Sequence, residues 1–163
     1  MPETPAGWGL VAAVVLFAAF LVVKSLVSLR PEDPARARAR RRIAEAKRRA
    51  RGAGADRRAR ARAWLVAADI ALEELDNPGL AASYARRAGR ADPEDPAPVS
   101  LVARALRKSR RLRTLERFLW RRLQVTGSGP AYEHAFDELL HLYEGPLRRP
   151  ERAAALRSMR AAA

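Results

Sequence analysis

The fold is decided by RRARARAWLVAADIALEELDNPGLAASYARRAGRADP, residues 57–93. In its first half Ala61, Trp64, Leu65, Ala68, Leu72 and Leu75 recur mostly at steps of three and four, the period that gathers side chains on one face of an α-helix. Asp56 precedes the run as an N-cap, because its carboxylate can accept a backbone N–H left without a partner in the first turn. Asp76-Asn77-Pro78-Gly79 ends this helix. Leu80, Ala81, Tyr84, Ala85 and Ala88 then line a second one, which closes at Asp92-Pro93-Glu94-Asp95-Pro96. Two helices joined by so short a turn predict an αα-hairpin.

The pattern recurs downstream. Pro98 opens a helix carrying Val99, Val102, Ala103 and Leu106, and a polar turn near Ser109 leads to Leu112, Leu115, Phe118, Leu119 and Leu123. Gly127-Ser128-Gly129-Pro130 reads as a flexible connection to Tyr132, Phe136, Leu139, Leu140 and Tyr143; after Gly145-Pro146 a last helix from Pro150 bears Ala155, Leu156 and Met159. No run alternates apolar and polar β-formers, so the expectation is all-α. The hairpins start near Asp56, Asp95 and Gly129, spacings of 39 and 34 residues that fall in the range of helical repeats.

On these residues the chain resembles the tetratricopeptide repeat family. Trp64 and Ala68 look like the large and small residues of a repeat's first helix. Ala81, Ala88 and Pro93, in AASYARRAGRADP, sit where the second helix carries small residues and then a closing proline. Ala103 fits the small position of a first helix in the next hairpin, whereas Leu115, Leu119 and Arg122 replace the small residues of its second. The resemblance covers residues 57–160 as architecture and 57–96 as motif. It implies a short α-solenoid whose concave surface, formed by the first helices, binds a protein or peptide. The exposed side of those helices would carry Arg62, Asp69 and Glu73 in the first hairpin and Ser100, Arg104, Arg107 and Lys108 in the second. Arg104, Arg107 and Lys108 would engage an acidic or C-terminal carboxylate by charge-assisted hydrogen bonds.

Upstream, GWGLVAAVVLFAAFLVVKSLVSL, residues 7–29, has no charged or polar side chain between Leu10 and Val23. As one helix it would extend about 34 Å, enough for a hydrocarbon core of about 30 Å. Hydropathy therefore predicts a transmembrane helix at 8–29, with a short extracytoplasmic N-terminus at 1–7. Between residues 30 and 62 lie fourteen Lys and Arg against four acids, so this stretch accounts for +10 of the net charge of +14. Positive flanks stay inside, which predicts a single-pass protein with its C-terminal domain cytoplasmic. No positive charge precedes the apolar stretch and no small-residue cleavage site follows it, against a cleaved signal. Arg outnumbers Lys 29 to 3, a bias typical of GC-rich genomes, and the expected setting is a bacterial inner membrane.

Pro31-Glu32-Asp33-Pro34 breaks the apolar helix, and Asp33 with Pro34 opens another. Its positions Ala35, Ala39, Ile43, Ala46 and Ala50 form one narrow apolar face, surrounded by Arg36, Arg38, Arg40, Arg41, Arg42, Lys47, Arg48, Arg49 and Arg51. Residues 30–55 thus read as a basic juxtamembrane helix ending in a Gly52-Ala53-Gly54 hinge, and 56–163 as the helical domain. The nine cations are assigned to anionic membrane lipids, for which each is worth about 1 kcal/mol. The alternatives are docking of an acidic protein partner and nucleic-acid binding, the latter disfavoured because no aromatic side chain between Arg30 and Arg62 offers bases a stacking surface.

The chain has no Cys, hence no disulfide and no thiolate ligand or nucleophile. His134, Glu138 and His141 share a helix face, but without an H-E-x-x-H arrangement they read as a solvated surface, not a metal site. Ser100 and Ser109 have no base at a pairing spacing, and no glycine-rich phosphate loop is present. No enzyme, metal or cofactor is expected. The function that follows is a membrane-anchored adaptor holding a protein or acidic peptide, with self-association through an uncovered terminal hairpin. The alternatives are a membrane-tethered nucleic-acid-binding protein and a small structural subunit of a membrane complex.

Overall fold

In the computed structural model residues 14–21 and 33–161 are described, and among them all regular structure is helical. Contacts divide the chain into two units, Met1–Pro34 and Ala35–Ala163. Of the first, residues 14–21 form a helix whose side chains are all exposed. The transmembrane reading of 8–29 is corrected here: among the described residues no helix is long and apolar enough to cross a membrane. The eight residues of 14–21 rise only about 12 Å, against the roughly 30 Å of a hydrocarbon core, and the remainder of the stretch lies outside the described residues. The placements that depended on a span go with it: the single-pass topology, the extracytoplasmic N-terminus, the cytoplasmic C-terminal domain and the bacterial inner membrane.

The second unit is built from α1 (Pro34–Gly52), α2 (Arg57–Glu73), α3 (Pro78–Ala91), α4 (Ala97–Lys108), α5 (Leu112–Thr126), α6 (Pro130–Glu144) and α7 (Pro150–Ala161). The caps form as their residue types dictate. The Asp56 carboxylate accepts from the Ala59 amide at 2.9 Å, and the Asn77 side chain accepts from the Leu80 amide at 2.9 Å with Pro78 at the first helical position. Three turns instead reverse through non-glycine residues with positive φ: Asp76 (49°), Arg110 (55°) and Arg148 (47°). After Asp76 the Asn77 amide donates back to the Ala71 carbonyl at 2.8 Å, and after Arg148 the Arg149 amide donates to the Tyr143 carbonyl at 2.8 Å, closing the ends of α2 and α6.

One core runs through all seven helices. Between α2 and α3 it is mostly alanine: Ala61, Ala67, Ala68 and Ala71 face Ala81, Ala82, Ala85 and Ala88, all buried. Trp64 and Tyr84 fill the remaining space as a stacked pair with ring centroids 5.6 Å apart, and the Arg87 guanidinium lies over the Trp64 ring at 5.0 Å. Larger side chains take over downstream, where Leu115, Leu119, Leu139, Leu142 and Tyr143 are fully buried. Ala39, Ile43, Ala46 and Ala50 of α1 belong to this same core, so the narrow apolar face assigned to a lipid-side helix is covered by protein, and the compact unit starts at Ala35 instead of Asp56.

The layers follow from which helices touch. α2 packs on α4 and α4 on α6, forming one layer of first helices. The backbones of α3 and α5, the second helices of the first two hairpins, stay apart, and the two helices meet through side chains. Arg110, in the turn between α4 and α5, holds a conformation that costs a side-chain-bearing residue about 1–2 kcal/mol and glycine almost nothing. Arg110→Gly is accordingly expected to raise the free energy of unfolding by up to about 1 kcal/mol after the extra backbone entropy of glycine is subtracted; the shift in urea midpoint measures it.

Candidate functional site

The cations predicted to meet a partner on the first-helix layer are engaged within the layer itself. Arg104 Nη2 hydrogen-bonds Glu73 Oε1, and its Nη1 lies 3.9 Å from Asp69 Oδ1. Lys108 Nζ is 2.7 Å from Asp76 Oδ1 and donates to the Leu72 carbonyl at 3.3 Å. Arg107 hydrogen-bonds Glu138 of α6, with Arg107 30% and Glu138 16% exposed. Asp69 and Glu73 thus sit against Arg104, while Arg62 lies beside α1 in a shallow depression with Arg49 and Ala53. Burial pushes the Asp69 carboxyl up, against the pull of Arg104, and Glu73 adds repulsion. The hydrogen bond and charge of Lys108 hold the Asp76 carboxyl below its usual range. On α1, Arg42 pairs with Glu74 and Arg49 with Glu45, whereas Arg36, Arg41, Lys47, Arg48 and Arg51 reach the surface or its edge.

One pairing has no signature in the sequence. Ser100 Oγ and His134 Nε2, 34 positions apart, lie 2.6 Å from each other across α4 and α6. A hydroxyl on an imidazole nitrogen is the first half of a nucleophile, and the second half would be a carboxylate on Nδ1. Glu138 instead approaches the same Nε2, at 3.9 Å, and is already bound to Arg107. The four groups form a brace between α4 and α6. Among the described residues no group of three His, Cys, Asp or Glu is placed to hold a metal.

A second brace centres on Glu116, which is 13% exposed and accepts from Tyr143 Oη at 2.8 Å, Arg149 at 3.1 Å and Arg152 at 2.9 Å. Trp120 Nε1 donates to Tyr143 Oη at 2.9 Å. These bonds join α5, α6 and α7. The Tyr143 hydroxyl, through a hydrogen bond, is the main influence raising the Arg152 pKa, and Glu116 adds to it.

The opposite layer is different in kind. Because the backbones of α3 and α5 stand apart, a groove of about 630 Å³ opens between them; Phe118 is half-buried in it, the buried Ala85, Pro98 and Val99 lie behind, and Val125, which is 70% exposed, forms its edge. Arg86 and Arg90 of α3 and Arg117 and Arg121 of α5 line it; all four are exposed, and none has a carboxylate partner among the described residues. The Arg86 guanidinium lies 5.9 Å from the Phe118 ring centroid. Arg122 closes one side, donating to the Gly89 carbonyl at 3.3 Å and to the Pro93 carbonyl. Burial lowers its pKa, partly offset by Glu94, Asp92 and Asp95. Its Nε is buried without a hydrogen-bond partner.

The chain matches no protein-family model, no curated protein and no solved structure with which it was compared.

Removing Glu138 leaves Arg107 partly buried and unpaired, so Glu138→Ala is expected to cost about 2 kcal/mol. Glu45→Ala, which breaks an exposed pair with Arg49, should stay within about 0.5 kcal/mol. Urea unfolding of the two variants side by side checks the contrast.

Proposed function

We propose that this chain is a non-enzymatic helical scaffold that captures an acidic segment of a partner protein, and that the capture takes place in the groove between α3 and α5. One observation carries the reading: four guanidinium groups with no carboxylate partner among the described residues stand around the apolar surface of Phe118 and Val125. The first-helix layer, in contrast, meets its own cations with Glu73, Asp69, Asp76 and Glu138. A ligand carboxylate there would have to displace an existing ion pair, whereas at the groove it adds a charge-assisted bond where none exists. The Phe118 ring already carries the Arg86 guanidinium, which leaves bases no open aromatic face to stack on, and this favours a protein segment over nucleic acid.

Exchanging Arg90, Arg117 and Arg121 for Glu together is expected to weaken binding of a labelled acidic peptide by at least about tenfold in fluorescence anisotropy. Reversing Arg104 alone should leave it nearly unchanged. Equal loss from both variants, or loss from Arg104→Glu only, would return the site to the first-helix layer.

A further inference from the structure

Resting on that reading, the geometry points to the form of the partner segment: we infer that it is an amphipathic α-helix, acidic along both flanks and apolar along the stripe between them.

The first argument concerns the backbone of the occupant. The apolar surface that an occupant can reach is Phe118 with Val125 at the edge, backed by the buried Ala85, Pro98 and Val99, and among the described residues no exposed sheet edge is present to pair with an incoming chain. An extended peptide lying on such a floor would press unpaired N–H and C=O groups against hydrocarbon, which costs free energy for each group buried. A helix satisfies its own backbone bonds and offers the floor a stripe of side chains instead.

The second argument concerns spacing. Arg86 and Arg90 are four residues apart on α3, and Arg117 and Arg121 are four residues apart on α5. Each wall therefore carries two arginine positions about 6 Å apart along its axis. A ligand helix with carboxylates at i and i+4 on each flank repeats at the same rise, so both walls are met in register by one regular element. Between the flanks the stripe would lie over Phe118 and against Val125, which is 70% exposed. Arg86 is held over the Phe118 ring, which sets its guanidinium at the groove wall before any ligand arrives.

The test uses the full-length chain and three labelled peptides of equal net charge. One carries Glu at i and i+4 on both flanks with a leucine stripe, the second replaces the leucines by alanine, and the third keeps Glu and Leu but carries central prolines. The inference expects the first to bind at least about tenfold tighter than either of the others. It also expects Val125→Asp, a change at an exposed position, to weaken the first peptide by about tenfold while leaving thermal unfolding unchanged. Equal binding of the proline and helical peptides overturns the helical form and leaves the acidic-segment reading standing. Equal binding of the alanine and leucine peptides overturns the apolar stripe in the same way. If none of the three binds, or if inorganic polyphosphate competes while peptide form makes no difference, the groove is a general anion surface and both readings fail.

Discussion

Alanine sets the distance between the helices, and most of the remaining structure depends on that distance. Ala61, Ala67, Ala68 and Ala71 on α2 and Ala81, Ala82, Ala85 and Ala88 on α3 present one methyl group each. Their helices approach closely and little apolar area is gained per residue. Trp64 stacked on Tyr84 supplies part of what the alanines lack, and Arg87 covers that pair from outside. Close approach also brings long polar side chains of neighbouring helices within reach of each other. Arg104 meets Glu73, Arg107 meets Glu138 and Ser100 meets His134 because the first helices lie directly side by side.

Charge then decides what is left over. The chain has 32 Lys and Arg against 18 Asp and Glu, so many cations have no acid to meet. The acids are not spread evenly. Asp69, Glu73, Asp76 and Glu138 neutralise the first-helix layer, Glu116 ties α5 to α6 and α7, and Glu133, Asp137 and Glu144 bind Arg157 and Arg160. The groove wall of α3 and α5 receives none, although Asp92, Glu94 and Asp95 act on Arg122 at its edge. Most of the surplus lies in residues 30–62, but at the groove cations without an acid coincide with an apolar cleft, and this coincidence distinguishes the groove from a merely basic surface.

Much of the helical order was legible because it rests on local chemistry. Asp56 caps as its type predicts, the Asp76-Asn77-Pro78-Gly79 turn divides α2 from α3, and the periodic apolar positions mark the buried faces. What depends on tertiary distance was not legible. No spacing rule links Ser100 to His134, or Glu116 to Tyr143, Arg149 and Arg152. The partners of Arg104, Arg107 and Lys108 come from other helices, so the second hairpin looked cationic when read alone. The groove arises from the separation of α3 and α5, which no one-dimensional pattern encodes. What the apolar face of α1 meets was not legible for a related reason: Ala39, Ile43, Ala46 and Ala50 among nine cations suit a lipid surface and a protein seam equally, and in the fold these four are buried in the core. At 8–29 hydropathy alone suggested a span, and no described helix is both long and apolar enough for one.

The most direct test of the account is amide hydrogen exchange of the full-length chain with and without the leucine-striped acidic peptide. The account predicts slower exchange along α3 and α5, residues 78–91 and 112–126, with α1 and the exposed face of α2 unaffected. Protection along α2, α4 and α6 instead, or over the arginines of α1, would contradict it.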